Sequence, residues 1–85
     1  AYEPVWSIGT GLIPKNNELL DNILFIKQFL RQNFKYKKSR VLYGGSVNTN
    51  NIKNLNEINQ IDGFLIGGAS QNSNKFIDII KKTFN

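Results

Sequence analysis

Two stretches of this 85-residue chain repeat one pattern: a short apolar run, a pair of glycines, then a helical segment. Arg40-Val41-Leu42-Tyr43 runs into Gly44-Gly45, and Asp62-Gly63-Phe64-Leu65-Ile66 runs into Gly67-Gly68. Runs this short and apolar suit strands of a parallel sheet buried on both faces. Parallel neighbours require crossover connections, which are right-handed. The expected fold class is therefore α/β, built from repeated strand–helix units, with no internal boundary between residues 1 and 85. Each glycine pair leaves backbone amides bare at the carboxyl end of the sheet, where ligands bind in such folds.

Helical spacing fills the intervals. Residues 17–33 are predicted as an amphipathic helix capped by Asn16 or Asn17. Its apolar stripe is Leu19, Leu20, Ile23, Leu24, Ile26, Phe29 and Leu30, read as core. Thr49 or Asn50 is expected to cap a shorter helix carrying Ile52, Leu55 and Ile58. Ser73 or Asn74 starts a last helix with Phe76, Ile77, Ile79 and Ile80. Tyr2 and Glu3 read as the end of a strand, and residues 4–14 as a loop. Gly9 and Gly11 relax that loop, and Pro4 and Pro14 stiffen its ends.

Composition narrows the chemistry. The chain has no cysteine, hence no disulfide framework or thiolate metal site. It has no histidine, the commonest general acid/base and metal ligand. The net charge of +5 lies on scattered segments such as Lys35-Tyr36-Lys37-Lys38 and Lys81-Lys82, without a nucleic-acid-binding motif. A solvated basic surface is the reading, with no nucleic-acid partner. No apolar run approaches the ~18 residues of a membrane helix, and nothing reads as a signal peptide. The absence of methionine makes a fragment the simpler reading. The many asparagines read as composition bias.

Amides free of a neighbouring Cβ can approach an anion closely, and a following helix N-terminus adds partial positive charge. Gly44-Gly45-Ser46 and Gly67-Gly68 are thus candidate phosphate cradles, although a lone glycine pair also serves simply to turn a chain. Barrels commonly bind phosphate after their last two strands, and two such pairs follow consecutive strands here. Glu3 ends a strand and precedes Pro4. A carboxylate there is a candidate general base, taking a proton from carbon beside a carbonyl, or an ordinary surface charge.

The segment Glu3-Pro4-Val5-Trp6-Ser7-Ile8-Gly9-Thr10-Gly11, with Tyr43-Gly44-Gly45-Ser46-Val47 and Asp62-Gly63-Phe64-Leu65-Ile66-Gly67-Gly68-Ala69-Ser70, resembles the triosephosphate isomerase family. The resemblance implies the C-terminal part of a (β/α)8 TIM barrel, from the tip of the sixth strand through the eighth helix. It implies interconversion of dihydroxyacetone phosphate and D-glyceraldehyde 3-phosphate through an enediolate, with Glu3 as catalytic base and no cofactor. Residues 4–14, including Pro4, Val5, Trp6, Gly11 and Pro14, would be a lid. The Gly9 amide, Ser46 and the amides of Gly67 and Gly68 would bind the substrate phosphate. Trp6 would move with the lid and meet Tyr2 when it is open. The family implies a cytoplasmic homodimer of glycolysis and gluconeogenesis.

Departures from the family pattern qualify this. Ser7 stands where alanine is common and is expected to matter little. In many relatives the Tyr43 hydroxyl bonds an N–H at the position of Pro14, which has none. The expected closed lid relies instead on a Ser46–Gly11 contact and on the stiffness of Pro14. The family's electrophilic histidine, its lysine and a nearby asparagine belong to the first half of a barrel of roughly 250 residues. The isolated 85 residues are therefore expected to be inactive, either as a non-catalytic remnant or as a half-barrel needing a separate N-terminal chain. On this reading Tyr43→Phe, assayed in the full-length context, costs less than tenfold in activity, about 1.4 kcal/mol.

Overall fold

A computed structural model describes residues 1–35 and 38–84. Tyr36 and Lys37 of the basic run read as surface charge lie outside the described residues. Helix α1 spans Asn16–Phe34. It begins one residue earlier than expected: Lys15 is the cap, and its carbonyl accepts the Leu19 amide at 2.9 Å. Asn17 instead turns its Oδ1 onto the Glu18 amide at 3.0 Å. Glu18 lies in the first turn, at the positive end of the dipole. The helix stops at Lys35, whose φ of 57° is left-handed and whose N–H donates to the Leu30 carbonyl.

The sheet is parallel and short. Strand β1 is Leu42–Tyr43 and β2 is Gly63–Phe64, with Leu42 opposite Gly63 and Tyr43 opposite Phe64. Both are shorter than the runs read from the sequence, but backbone bonds extend the ladder. Asp62 N donates to Val41 O at 2.9 Å and Leu65 N to Tyr43 O at 2.9 Å. On the other side, Tyr2 forms an isolated parallel bridge to Tyr43, with Tyr2 N to Leu42 O at 2.8 Å and Gly44 N to Tyr2 O at 2.9 Å. Three parallel segments thus lie side by side with β1 in the centre.

Helix α2 (Ile52–Asn56) and helix α3 (Ser73–Phe84) follow the two strands. The cap of α2 is Asn51, not Thr49 or Asn50. Ile58 lies beyond its end, buried in the turn that follows. Asn48 and Asn51 shape the entry reciprocally: Asn48 Oδ1 accepts the amides of Asn50 and Asn51, and Asn51 Oδ1 accepts that of Asn48. Asn16 and Asn54 pair side chain to side chain, and Asn56 Nδ2 reaches Thr83 O at 2.8 Å. Asn72 Oδ1 accepts the Lys75 amide at the start of α3. The asparagines read as bias are therefore turn and bridging residues, a role suited to a short amide beside backbone.

The core consists of Leu19 and Ile23 of α1, Val41 and Tyr43 of the central strand, Val47, Ile52, Leu55, Ile58 and Ile79. Full burial of each aliphatic chain contributes on the order of 1.5–3 kcal/mol. The expected core was broader. Leu24, Phe29, Ile77 and Ile80 are exposed, and Leu65 of the strand region is 45% exposed. Buried strand faces were expected on both sides; Gly63 and Phe64 of β2 are only half-buried.

Asp62 ties three of these elements together. Its Oδ2 accepts the Val41 amide at 2.7 Å and pairs with Lys27 of α1 at 3.0 Å. Lys27 Nζ also donates to Gln60 O at 2.8 Å. The Val41 bond, with the Lys27 contact, holds the Asp62 carboxyl below its ordinary value of 3.8. A depressed folded value means stability present above the unfolded value and lost as pH falls through the folded one. Asp62→Asn is expected to lower unfolding free energy by about 1 kcal/mol at pH 7. Urea unfolding of both forms should show the gap closing once the pH drops below 3.8.

Candidate functional site

At the carboxyl end of the strands the loops enclose a cleft of ≈ 570 Å³. Glu3, Gly9, Gly11, Gly44, Gly45, Ser46, Gly67 and Gly68 line it. The sequence placed Glu3 and both glycine pairs on separate segments; the parallel register brings their ends to one level. Of the other residues assigned to the lid, Pro4, Val5, Trp6 and Pro14 do not line the cleft. Pro4 and Pro14 are buried, whereas Val5 is 85% exposed and Trp6 half-exposed.

Glu3 reaches the cleft because it ends the strand segment paired to Tyr43 and packs across Gly44. A Cβ at Gly44 would lie 2.6 Å from Glu3 Cγ and 3.0 Å from its Oε1. Glycine at that position thus leaves room for the carboxylate. Gly9 and Gly11 take positive φ, 69° and 78°, a conformation that a side chain disfavours. Among the described residues, no turn or loop bond uses the amides of Gly9, Gly67 or Gly68. These N–H groups are available to an anion. Helix dipoles contribute less than the sequence suggested. A single 3-10 turn, Gly68–Gln71, separates Gly67 from α3, and α2 begins only at Ile52, well after Ser46.

The segment 4–14 is fastened to the 44–46 turn by hydroxyls. Val5–Ser7 forms a 3-10 turn, with Ser7 N donating to Pro4 O at 2.8 Å. Ser7 is fully buried. Its Oγ donates to Leu12 O, lies 2.9 Å from the Tyr43 hydroxyl and accepts the Ser46 amide at 3.1 Å. Ser46 Oγ donates to Ser7 O and accepts the Gly11 amide at 2.8 Å. The Ser46–Gly11 contact expected from the sequence is thus formed. Ser7, expected to matter little, is thus a buried residue whose hydroxyl makes three contacts that an alanine could not make. Pro14 offers the Tyr43 hydroxyl no N–H, but Ser7 offers it an oxygen. Sequence inspection missed this because serine for alanine looks conservative until the site is known to be dry. Burial pushes the Tyr43 hydroxyl above its ordinary value of 10.0, against a smaller opposing effect of the Ser7 bond. Tyr43 is therefore a neutral donor at neutral pH. The Tyr2 hydroxyl accepts Asn22 Nδ2 at 3.1 Å.

Lys75 is a further residue the sequence reading did not select. It lines the cleft beside Gly67 and Gly68 and supplies the only cationic side chain among its described lining residues. No motif signals it, since its place depends on how α3 returns over the glycine turn.

The glycines of this site differ in what they protect. A Cβ at Gly45 would collide with the Tyr43 hydroxyl and stand 2.5 Å from Ser7 Oγ, whereas one at Gly68 would meet nothing within 4 Å. Gly45→Ala is expected to destabilise the protein by about 1–3 kcal/mol, the usual cost of overpacking. Gly68→Ala should stay within about 0.5 kcal/mol. Thermal unfolding of the two variants side by side checks the contrast.

Comparison with known proteins gives a consistent picture. The family model for triosephosphate isomerase matches residues 1–83. A triosephosphate isomerase of Dictyostelium discoideum is 46% identical over 84 residues, covering 95% of this chain and 33% of its own length. One of Neurospora crassa is 47% identical over 83 residues, covering 94% of this chain and 33% of its own length. One of Buchnera aphidicola is 42% identical and covers 100% of this chain and 33% of its own. The chain thus spans about a third of the length of the relatives it matches.

Proposed function

The chain belongs to the triosephosphate isomerase family, and from that premise we propose that residues 1–85 supply the base and the phosphate cradle of an isomerase for triose phosphates. The observation that carries this is the convergence of Glu3, Gly9, Ser46, Gly67 and Gly68 on one cleft. In this reading the segment around Tyr2 is the tip of a barrel's sixth strand, and β1 and β2 are its seventh and eighth.

The chemistry follows from placement. Glu3 Oε takes a proton from the carbon next to the substrate carbonyl and returns it to the neighbouring carbon, through an enediolate. The phosphate sits over the amides of Gly9, Gly67 and Gly68, where aligned N–H dipoles hold an anion in a cavity partly shielded from water. Lys75 raises the local potential for a dianionic substrate. Residues 4–14 act as a lid that excludes water and retains the enediolate, a closure for which this family is itself the standing example. No histidine is present to polarise the carbonyl, so that role falls to residues outside this chain. The relatives' additional length is the natural source of that group, and the assembled barrel is the proposed catalyst.

The test is to join residues 1–85 to the unmatched two-thirds of the Dictyostelium relative and assay triose phosphate isomerisation. Activity is expected, and Glu3→Gln should reduce kcat by about 10²–10⁴, the span of general base catalysis. Lys75→Glu should raise KM several-fold, with the effect fading at high salt. Full activity with Glu3→Gln would remove the glutamate from the mechanism.

A further inference from the structure

The proposal concerns Ser7 and rests on the reading of residues 4–14 as a lid. A serine hydroxyl has one proton and two lone pairs. Leu12 O is an acceptor only, so the proton of Ser7 Oγ points to it. The Ser46 amide is a donor only, and occupies one lone pair. The contact to Tyr43 at 2.9 Å then has one possible sense: the Tyr43 hydroxyl donates to the remaining lone pair of Ser7 Oγ. The proton order Tyr43 → Ser7 → Leu12 is fixed, and Ser7 is saturated. Ser7 is fully buried, so no water substitutes for its partners.

We propose that Ser7 is a positioning residue for the isomerisation, the hub through which the 43–46 turn holds the lid over the cleft with the Gly9 amide facing in. The lid touches this turn through the Ser7 hydroxyl, the Ser7 carbonyl and the Gly11 amide. Three of these four bonds involve Ser46, and the hydroxyl of Ser7 holds the Ser46 amide. Pro14, which has no N–H, leaves the Tyr43 hydroxyl no bond at that end of the lid. Ser7 takes it instead, from the opposite side of the loop. Gly45 is shaped to this arrangement, because a Cβ there would enter the space held by the Tyr43 and Ser7 oxygens. Loss of the Ser7 hydroxyl leaves Ser46 N–H and Tyr43 O–H without an acceptor when the lid is shut. Both are solvated when it is open, so the penalty falls on the closed form alone.

The experiment uses the assembled barrel with Ser7→Ala, Tyr43→Phe and both together. Ser7→Ala is expected to lower kcat/KM about tenfold. Tyr43→Phe should cost several-fold, and the double variant should be no worse than Ser7→Ala, since Tyr43 acts through Ser7. A loosened lid also lets the enediolate escape, breaking its C–O bond to phosphate with the enediolate electrons. Inorganic phosphate released per isomerisation should therefore rise about tenfold in Ser7→Ala, a change that a merely less stable barrel would not produce. Multiplicative losses in the double variant, or an unchanged phosphate ratio, overturn the proposal. Should Ser7→Ala not fold, the phosphate ratio of Tyr43→Phe decides, because that change removes only an oxygen. If the unsubstituted assembly shows no isomerase activity, the functional reading fails by itself. Hydrogen exchange of the Gly11 amide then judges the hub: faster exchange in Ser7→Ala supports it, and unchanged protection sinks it.

Discussion

Tyr43 is fully buried, and its backbone pairs on one side with Tyr2 and on the other with Phe64. Its ring fills the core among aliphatic residues from the helices, while its hydroxyl emerges at the carboxyl end of the sheet beside Ser7. Sheet register, core packing and loop position therefore meet in one residue. Shifting the register by one position would turn this ring to the other face. The cleft would lose its floor, and the lid its anchorage. Asp62 supports the same register from below, through the Val41 amide and Lys27.

The site itself is made mostly of backbone. On the proposed reading its groups are amides at Gly9, Gly67 and Gly68 and a carboxylate at Glu3, while the Ser46 hydroxyl is taken up by the Ser7 carbonyl and the Gly11 amide. Such a site needs little from side-chain chemistry and much from strand ends held level. This accounts for the large share of glycine around the cleft: at Gly44 a side chain would meet Glu3, and at Gly45 it would meet the Tyr43–Ser7 pair. It also explains the reliance on small hydroxyls. A loop that must rest on a glycine turn has room for a serine oxygen and little else. A buried pair of serines gives the contact direction without bulk, because the Ser46 amide donates to Ser7 Oγ while Ser46 Oγ donates to the Ser7 carbonyl.

Much apolar surface lies outside the core. Leu24, Phe29, Ile77 and Ile80 are exposed in spite of lying on apolar stripes, and Phe25 is exposed beside them. Phe25 and Phe29 form a tilted pair with ring centroids 6.3 Å apart. An apolar groove of ≈ 390 Å³ runs along β2 and α3. Such features fit a chain that spans a third of its relatives' length. A domain this small buries a modest fraction of its surface.

Local rules made much of this legible. Helical periodicity located α1, α2 and α3, glycine pairs marked the strand ends, and the order of elements fixed an α/β arrangement with parallel neighbours. Glu3, Gly44-Gly45-Ser46 and Gly67-Gly68 could be named as candidates from residue type and position because strand ends and bare amides have local signatures, whereas Gly9 was named only through the family resemblance. Burial was less legible: an apolar stripe tells which face wants cover, but only the available neighbours decide how much of it is covered. The asparagines were misread because a bridging amide has no sequence signature apart from its partner. Ser7, Tyr43 and Lys75 were beyond reach for the same reason. A hydroxyl or a charge acquires its role from what stands opposite it, and residues 7, 43 and 46 meet only once the parallel register has formed. The sequence by itself determined the elements and the chemistry at their ends. The tertiary structure alone decided which oxygen faces which proton, because hydrogen bonds act over about 3 Å and the chain separates these partners by more than 35 residues.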